Sequence, residues 1–176
     1  SNSDGSIDFK SEYNVGWAIT AAKRDVCSAC DTNYDFTKTI FDAYLEGRTL
    51  ITNQADISAI LAQRDLVMNN WEKVVAAVSV HYVNDTVEEI ANLIAAGDAS
   101  LSAGTSASAN YEKYWGEMRG YANGLIYNDY KLISDADLAE IFQVIGTYPV
   151  YPSDGNFDAM QAYHDALVGP VSYTHL

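Results

Sequence analysis

From Ile57 to Ala96 the chain runs 40 residues without a proline or a glycine. Over that span Ile57, Ile60, Leu61, Leu66, Val67, Trp71, Val74, Val75, Val78, Tyr82, Val87, Ile90, Leu93 and Ile94 recur every three or four positions. A strand would place its apolar residues every second position, so the spacing predicts one long helix over 57–96, or two joined by a kink. The segment VVAAVSVHYV (74–83) is rich in β-branched residues and taken alone could pass for a strand, but its periodicity is helical.

A helix of this length needs partners for its apolar face, and the flanking sequence supplies them. Val15, Ile19, Ala22 and Val26 share a face and predict a helix near 13–26. Phe36, Ile40, Phe41, Tyr44 and Leu45 predict an amphipathic helix ending near Thr52, with Asp35 or Thr37 as its cap. Gly97 and the small-residue stretch DASLSAGTSASAN form a linker, expected to be the most mobile loop. Tyr111, Tyr114, Trp115, Met118, Tyr121, Ala122 and Leu125 predict a helix over 110–127. Glycines at 116, 120 and 124 cost that helix about 1 kcal/mol each against alanine, and a closely packed neighbouring helix is the expected reason. Ser134 with Asp137 opens a helix that stops at Gly146, and Asn156 caps a last one over 157–168. The expected fold is all-α, an antiparallel helical bundle of five to six helices. One domain is expected over 1–170, with VSYTHL (171–176) as a non-native tail resembling the translation of a sequencing adapter on metagenomic fragments.

Ten Lys and Arg stand against 24 Asp and Glu, a net charge of −14, which repels phosphate and excludes nucleic acid as an expected partner. Cations fit that charge better. No apolar run approaches the ~20 residues of a membrane span. No G-x-S-x-G, phosphate loop or His-plus-Cys spacing marks a nucleophilic enzyme.

Four residues are candidates for a divalent metal site of Fe, Mn or Zn. His81 and Asp85 are one turn apart on the long helix, and Glu117 and Glu112 lie on the helix of 110–127. Bundle-core metal sites are built from His and carboxylates projecting inward from facing helices. The competing assignment makes His81 a core hydrogen-bond donor, pairs Glu117 with Lys113 and leaves Asp85 to Glu89 as a solvated face. Cys27 and Cys30 are the only cysteines, in a C-x-x-C that reads as a short disulfide, free thiols or a redox pair. Asp31, Asn33 and Asp35 mimic the opening of a calcium loop, but Phe36 and Asp42 stand where Gly and Glu are required, and helix capping explains the same residues. The six aromatics Trp71, Tyr82, Tyr111, Tyr114, Trp115 and Tyr121 fill space between helices or else form a groove for a glycan, peptide or cofactor.

The strings AAKRD (21–25), FTKTIFDAYLEGRTLI (36–51), RDLVMNNWEKVVAAVSVHYVN (64–84), YWGEMRGYANGLIYN (114–128) and ISDADLAEIFQVIG (133–146) come in the order of a bacterial family. Over roughly residues 10–168 the chain resembles the C-terminal half of the domain of unknown function 4856 family, imelysin-like lipoproteins. The resemblance implies a helical bundle and a periplasmic or cell-surface location, with a lipid anchor on the full-length precursor. It also implies a non-catalytic role in binding a small ligand, a metal ion or an envelope protein, as in iron uptake. The imelysin hallmark G-x-H-x-x-E does not occur in the chain. A metal-dependent hydrolase or peptidase-like enzyme and a purely structural helical module are the alternatives.

Overall fold

The structure, a computed structural model, describes residues 16–25 and 33–171. The fold is all-α, with six α-helices among the described residues: α1 (Gly16–Arg24), α2 (Phe36–Thr52), α3 (Ile57–Ala96), α4 (Ala109–Gly124), α5 (Asp135–Ile145) and α6 (Asp158–Val171). This is the class of architecture that the sequence periodicity implies. Among the described residues no helix is long and apolar enough to cross a membrane.

Local chemistry sets the helix ends. Asp35 caps α2 by accepting the Lys38 N–H at 2.7 Å. The other end of α2 closes with Gln54 N–H on Ile51 O and Ala55 N–H on Leu50 O, the paired bonds of a Schellman motif, with Gln54 held at φ 53°. Ser134 Oγ accepts the Asp137 N–H and donates to its carboxylate, so α5 begins where the sequence places it. Gly97 (φ 64°) ends α3, and Gly146 (φ 76°) ends α5. Two boundaries differ from expectation. Residues 125–127 leave α4 as a 3₁₀ turn, the Leu125 N–H reaching back to Ala122 O, and α6 continues to Val171 instead of stopping at 168.

By its contacts the chain divides into two compact units, Ser1–Ala77 with Tyr130–Leu132, and Val78–Asp129 with Ile133–Leu176. Helix α3 contributes residues to both. The second unit has a core of large side chains: Ile90, Leu101, Tyr111, Met118, Ile145, Met160 and Leu167 are buried, and Tyr82, Trp115, Phe142, Phe157 and Tyr163 pack around them. The linker after Gly97 is pinned to this unit. Leu101 and Ser108 are buried, and Thr105 and Ser108 exchange hydrogen bonds, so its small residues build a tight turn in place of the expected mobile loop.

The first unit is built differently. Its buried apolar residues are Ala21, Ile40, Ala43, Val67 and Val74, joined by the polar Asn70 and Glu72. Tyr34 donates to Asn70 Oδ1 at 2.8 Å, Asn70 donates to Leu66 O at 2.7 Å, and the Glu72 carboxylate accepts the Leu132 N–H. Trp17 and Trp71 meet edge to face with centroids 6.3 Å apart.

Candidate functional site

Of the four expected metal ligands, the structure brings two together. His81 Nε2 lies 3.5 Å from Asp85 Oδ2, one turn along α3, with both side chains partly exposed. The His81 ring tilts onto Tyr82 at 5.0 Å. Glu117 is half-buried on α4, and Lys113, its expected partner, has its ammonium 5.5 Å from the Tyr114 ring centroid. Among the described residues no three His, Cys, Asp or Glu side chains gather where they could hold an ion. Among the described residues His81, Asp85, Glu117 and Glu112 therefore do not gather into one ligand set.

Glu112 has a structural task of its own. A single carboxylate oxygen accepts the Gly104 N–H at 2.7 Å, the Ser108 hydroxyl at 2.8 Å and the Tyr151 hydroxyl at 2.7 Å. The Gly104 N–H first, then the two hydroxyls, hold its carboxyl below the ordinary glutamate range. An oxygen already accepting three hydrogen bonds is committed to tying residues 104–108 and 151 to the start of α4. Its neighbour Tyr111 works in the same way from inside the core, its hydroxyl bonded to both the N–H (2.9 Å) and the C=O (3.1 Å) of Val150.

The aromatic set divides along the same lines. Tyr111 is fully buried, and Trp115 Nε1 donates to Tyr163 at 2.9 Å and to Ile145 O at 3.2 Å. Tyr82 stacks on Tyr121 with centroids 5.8 Å apart. These rings pack helices and satisfy their polar ends. Cys27, Cys30 and Asp31 lie outside the described residues. Asp35 is the cap of α2, as the capping assignment has it.

The feature that sequence reasoning missed lies in the first unit. At 100° per residue, Ile40, Ala43, Gly47 and Leu50 form one narrow stripe of α2, and they are the residues it turns inward. Beside that stripe, Phe41, Tyr44, Leu45, Arg48 and Ile51 occupy about 120° of arc and are exposed. On α3, Ile57, Leu61, Arg64 and Met68 form a row at helical spacing in which Ile57 and Leu61 are also exposed. Between the two helices runs an open groove of 410 Å³, with Tyr44, Arg48 and Ile51 on one wall and Ile60, Arg64, Val67 and Met68 on the other. The two helices lie close at Gly47, where a Cβ would stand 3.4 Å from Gln63 Cβ.

The groove departs from the chain's charge balance. Its charged lining residues are Arg48 and Arg64, with no carboxylate among them. Arg64 is paired with Asp65 at 2.6 Å and lies 5.7 Å from the Tyr130 ring centroid. Asp42 and Glu46 fall on the far side of α2. The sequence carried a signal for this surface: an apolar arc on α2 wider than one packed face requires. No protein-family model, curated protein or solved structure matches the chain.

Proposed function

We propose that this chain is a non-catalytic binding protein whose working surface is the α2–α3 groove of the first unit. One observation carries the reading: among the described residues the unit buries Ala21, Ile40, Ala43, Val67 and Val74 and leaves Phe41, Tyr44, Leu45, Ile51, Ile57 and Leu61 exposed, 37–68% of each accessible. Burying apolar surface stabilises by about 25 cal/mol per Å². A helix pair that turns its largest side chains outward forgoes that gain unless something else covers them. A groove of this kind, apolar with a few placed polar groups, is a binding-site geometry. The resemblance of the WEK…HY and W.E..GYA…YN segments to imelysin-like envelope proteins supports a periplasmic or cell-surface setting for it. The enzyme alternative needs three or more convergent ligands for its ion, and the described residues offer the pair His81 and Asp85.

The test is fluorescence of an anionic apolar dye, anilinonaphthalene sulfonate, titrated with dilute protein. Saturable binding that is lost in Tyr44→Glu and Ile51→Glu, with the helical circular dichroism unchanged, supports the groove. Binding that survives both substitutions, or no binding at all, would remove the reading.

A further inference from the structure

We infer that the occupant of this face is a second copy of the same chain, joined through α2 and the first half of α3. The inference rests on the groove being the binding surface, and adds which partner fills it. Three observations point to self-association.

The first is size. Six side chains of the face, Phe41, Tyr44, Leu45, Ile51, Ile57 and Leu61, are each 37–68% accessible. Taking about 150 Å² for each, the low end of the aromatic range because four of the six are Leu or Ile, they present on the order of 500 Å² of apolar surface. That lies toward the upper end of the ~300–600 Å² of a monomer's largest patch, a patch that is often functional. The groove walls add to it, toward the ~800 Å² that each partner contributes to a standard specific interface.

The second is shape. The face consists of two helices joined by a short turn at residues 53–56, with a shallow trough between them. A two-fold axis places the ridge of one such pair in the trough of the other and completes a four-helix arrangement from two identical halves.

The third is charge. Copies of a chain of net charge −14 repel at long range, and a contact surface free of unpaired acids keeps that repulsion from being concentrated at the interface. The groove lining holds no carboxylate, and Asp65 and Asp42, acids beside the face, are paired with Arg64 and Lys38. An acidic partner helix is the competing occupant, and Arg48 with Arg64 would be its attraction. Either occupant approaches a body that is negative as a whole, but the acidic helix depends on these two cations and one of them is already paired with Asp65.

Salt separates these cases. Raising ionic strength from about 0.1 M to about 1 M shortens the screening length from ~10 Å to ~3 Å. Self-association of two like-charged bodies through an apolar face then tightens or stays constant, whereas binding that relies on Arg48 weakens.

The experiment is sedimentation velocity of the full chain across a concentration range of about 1–100 μM, the range in which a weak standard-size interface populates both states. The expected result is a monomer–dimer equilibrium that does not weaken with salt. Leu45→Glu or Phe41→Glu should raise the dissociation constant at least about tenfold, as loss of a central apolar contact does. Both side chains are exposed in the single chain, so these variants keep the monomer fold, which a circular dichroism melt confirms. Leu66→Glu, nine residues after Ile57 and on the opposite face of α3, should leave the dimer intact. A dimer indifferent to both α2 substitutions, or equally sensitive to Leu66→Glu, overturns the assignment of this face. A monomer throughout the range overturns self-association. If that monomer binds the dye through Tyr44 and Ile51, the groove reading stands with a different occupant; if it does not, both fall.

Discussion

Replacing Gly116 and Gly120 by alanine should stabilise the protein, against what their regular spacing suggests. Both residues lie inside α4, both are exposed, and a Cβ built on either meets nothing within 4 Å. These two glycines are therefore not a seam for a neighbouring helix, and the helix bears their full conformational cost. Glycine in a helix interior is less favourable than alanine by about 0.8–1.0 kcal/mol, largely because the unfolded chain has more freedom to lose. Each substitution should contribute about 1 kcal/mol and the pair about 2 kcal/mol, since neither new methyl group touches a shared partner. For a chain of this size 1 kcal/mol corresponds to a change of about 2–4 °C in Tm, so the double variant should melt about 4–8 °C higher. Urea unfolding should show a higher midpoint at unchanged slope. Gly47→Ala is the internal contrast, since its Cβ would sit 3.4 Å from Gln63 Cβ and part of the propensity gain would be spent on that contact. A fall in midpoint for Gly116→Ala or Gly120→Ala would refute the reasoning, because it would require a close neighbour on that face.

Gln54 occupies a left-handed conformation at φ 53° in the Schellman end of α2. Gln54→Gly should therefore raise stability by about 1 kcal/mol in the same urea assay, and loss of stability would show that the Gln54 side chain holds the turn. The Glu112 carboxyl is depressed below its unfolded value by the Gly104 N–H and the Tyr151 and Ser108 hydroxyls. Its contribution is complete above the unfolded pKa and lost as pH falls through the folded one, so Glu112→Gln should flatten the acid limb of a Tm-versus-pH profile, and a parallel shift of the whole profile would contradict this. At the alkaline end, burial pushes Tyr163 up to about 12 and raises Tyr111 and Tyr151 as well, against about 10 in the unfolded chain. The unfolded state then releases protons first, so stability should decline from about pH 10 upward, with these three phenolates appearing by absorbance only as helicity is lost. Their ionisation in a fully helical protein would count against it.

What the sequence made legible, and what it did not, follows the range of the interactions involved. Helices α2 and α3 begin and end where the pattern puts them, because Asp35, the turn at 53–56 and Gly97 act on their immediate neighbours. The His81–Asp85 pair was readable for the same reason, being one helical turn apart. Glu112 was not readable, since its partners Gly104 and Tyr151 are 8 and 39 residues away and only the folded chain assembles them. The metal ligand set lies at that level too: whether Glu117 faces His81 depends on how α4 is rotated against α3, and no spacing within either helix encodes it. Gly116 and Gly120 were misread because a helix-propensity cost says nothing about what stands opposite. The groove is the more instructive case. Hydrophobic periodicity identifies which residues of α2 are apolar, and it assigns Ile40, Phe41, Tyr44 and Leu45 to one face as if all were core. Helix α2 turns only part of such an arc inward, Ile40, Ala43 and Gly47; it packs on α1, and at Gly47 it stands close to Gln63 of α3. The surplus apolar width was the visible sign that α2 has two faces to cover, and the folded first unit covers only one of them.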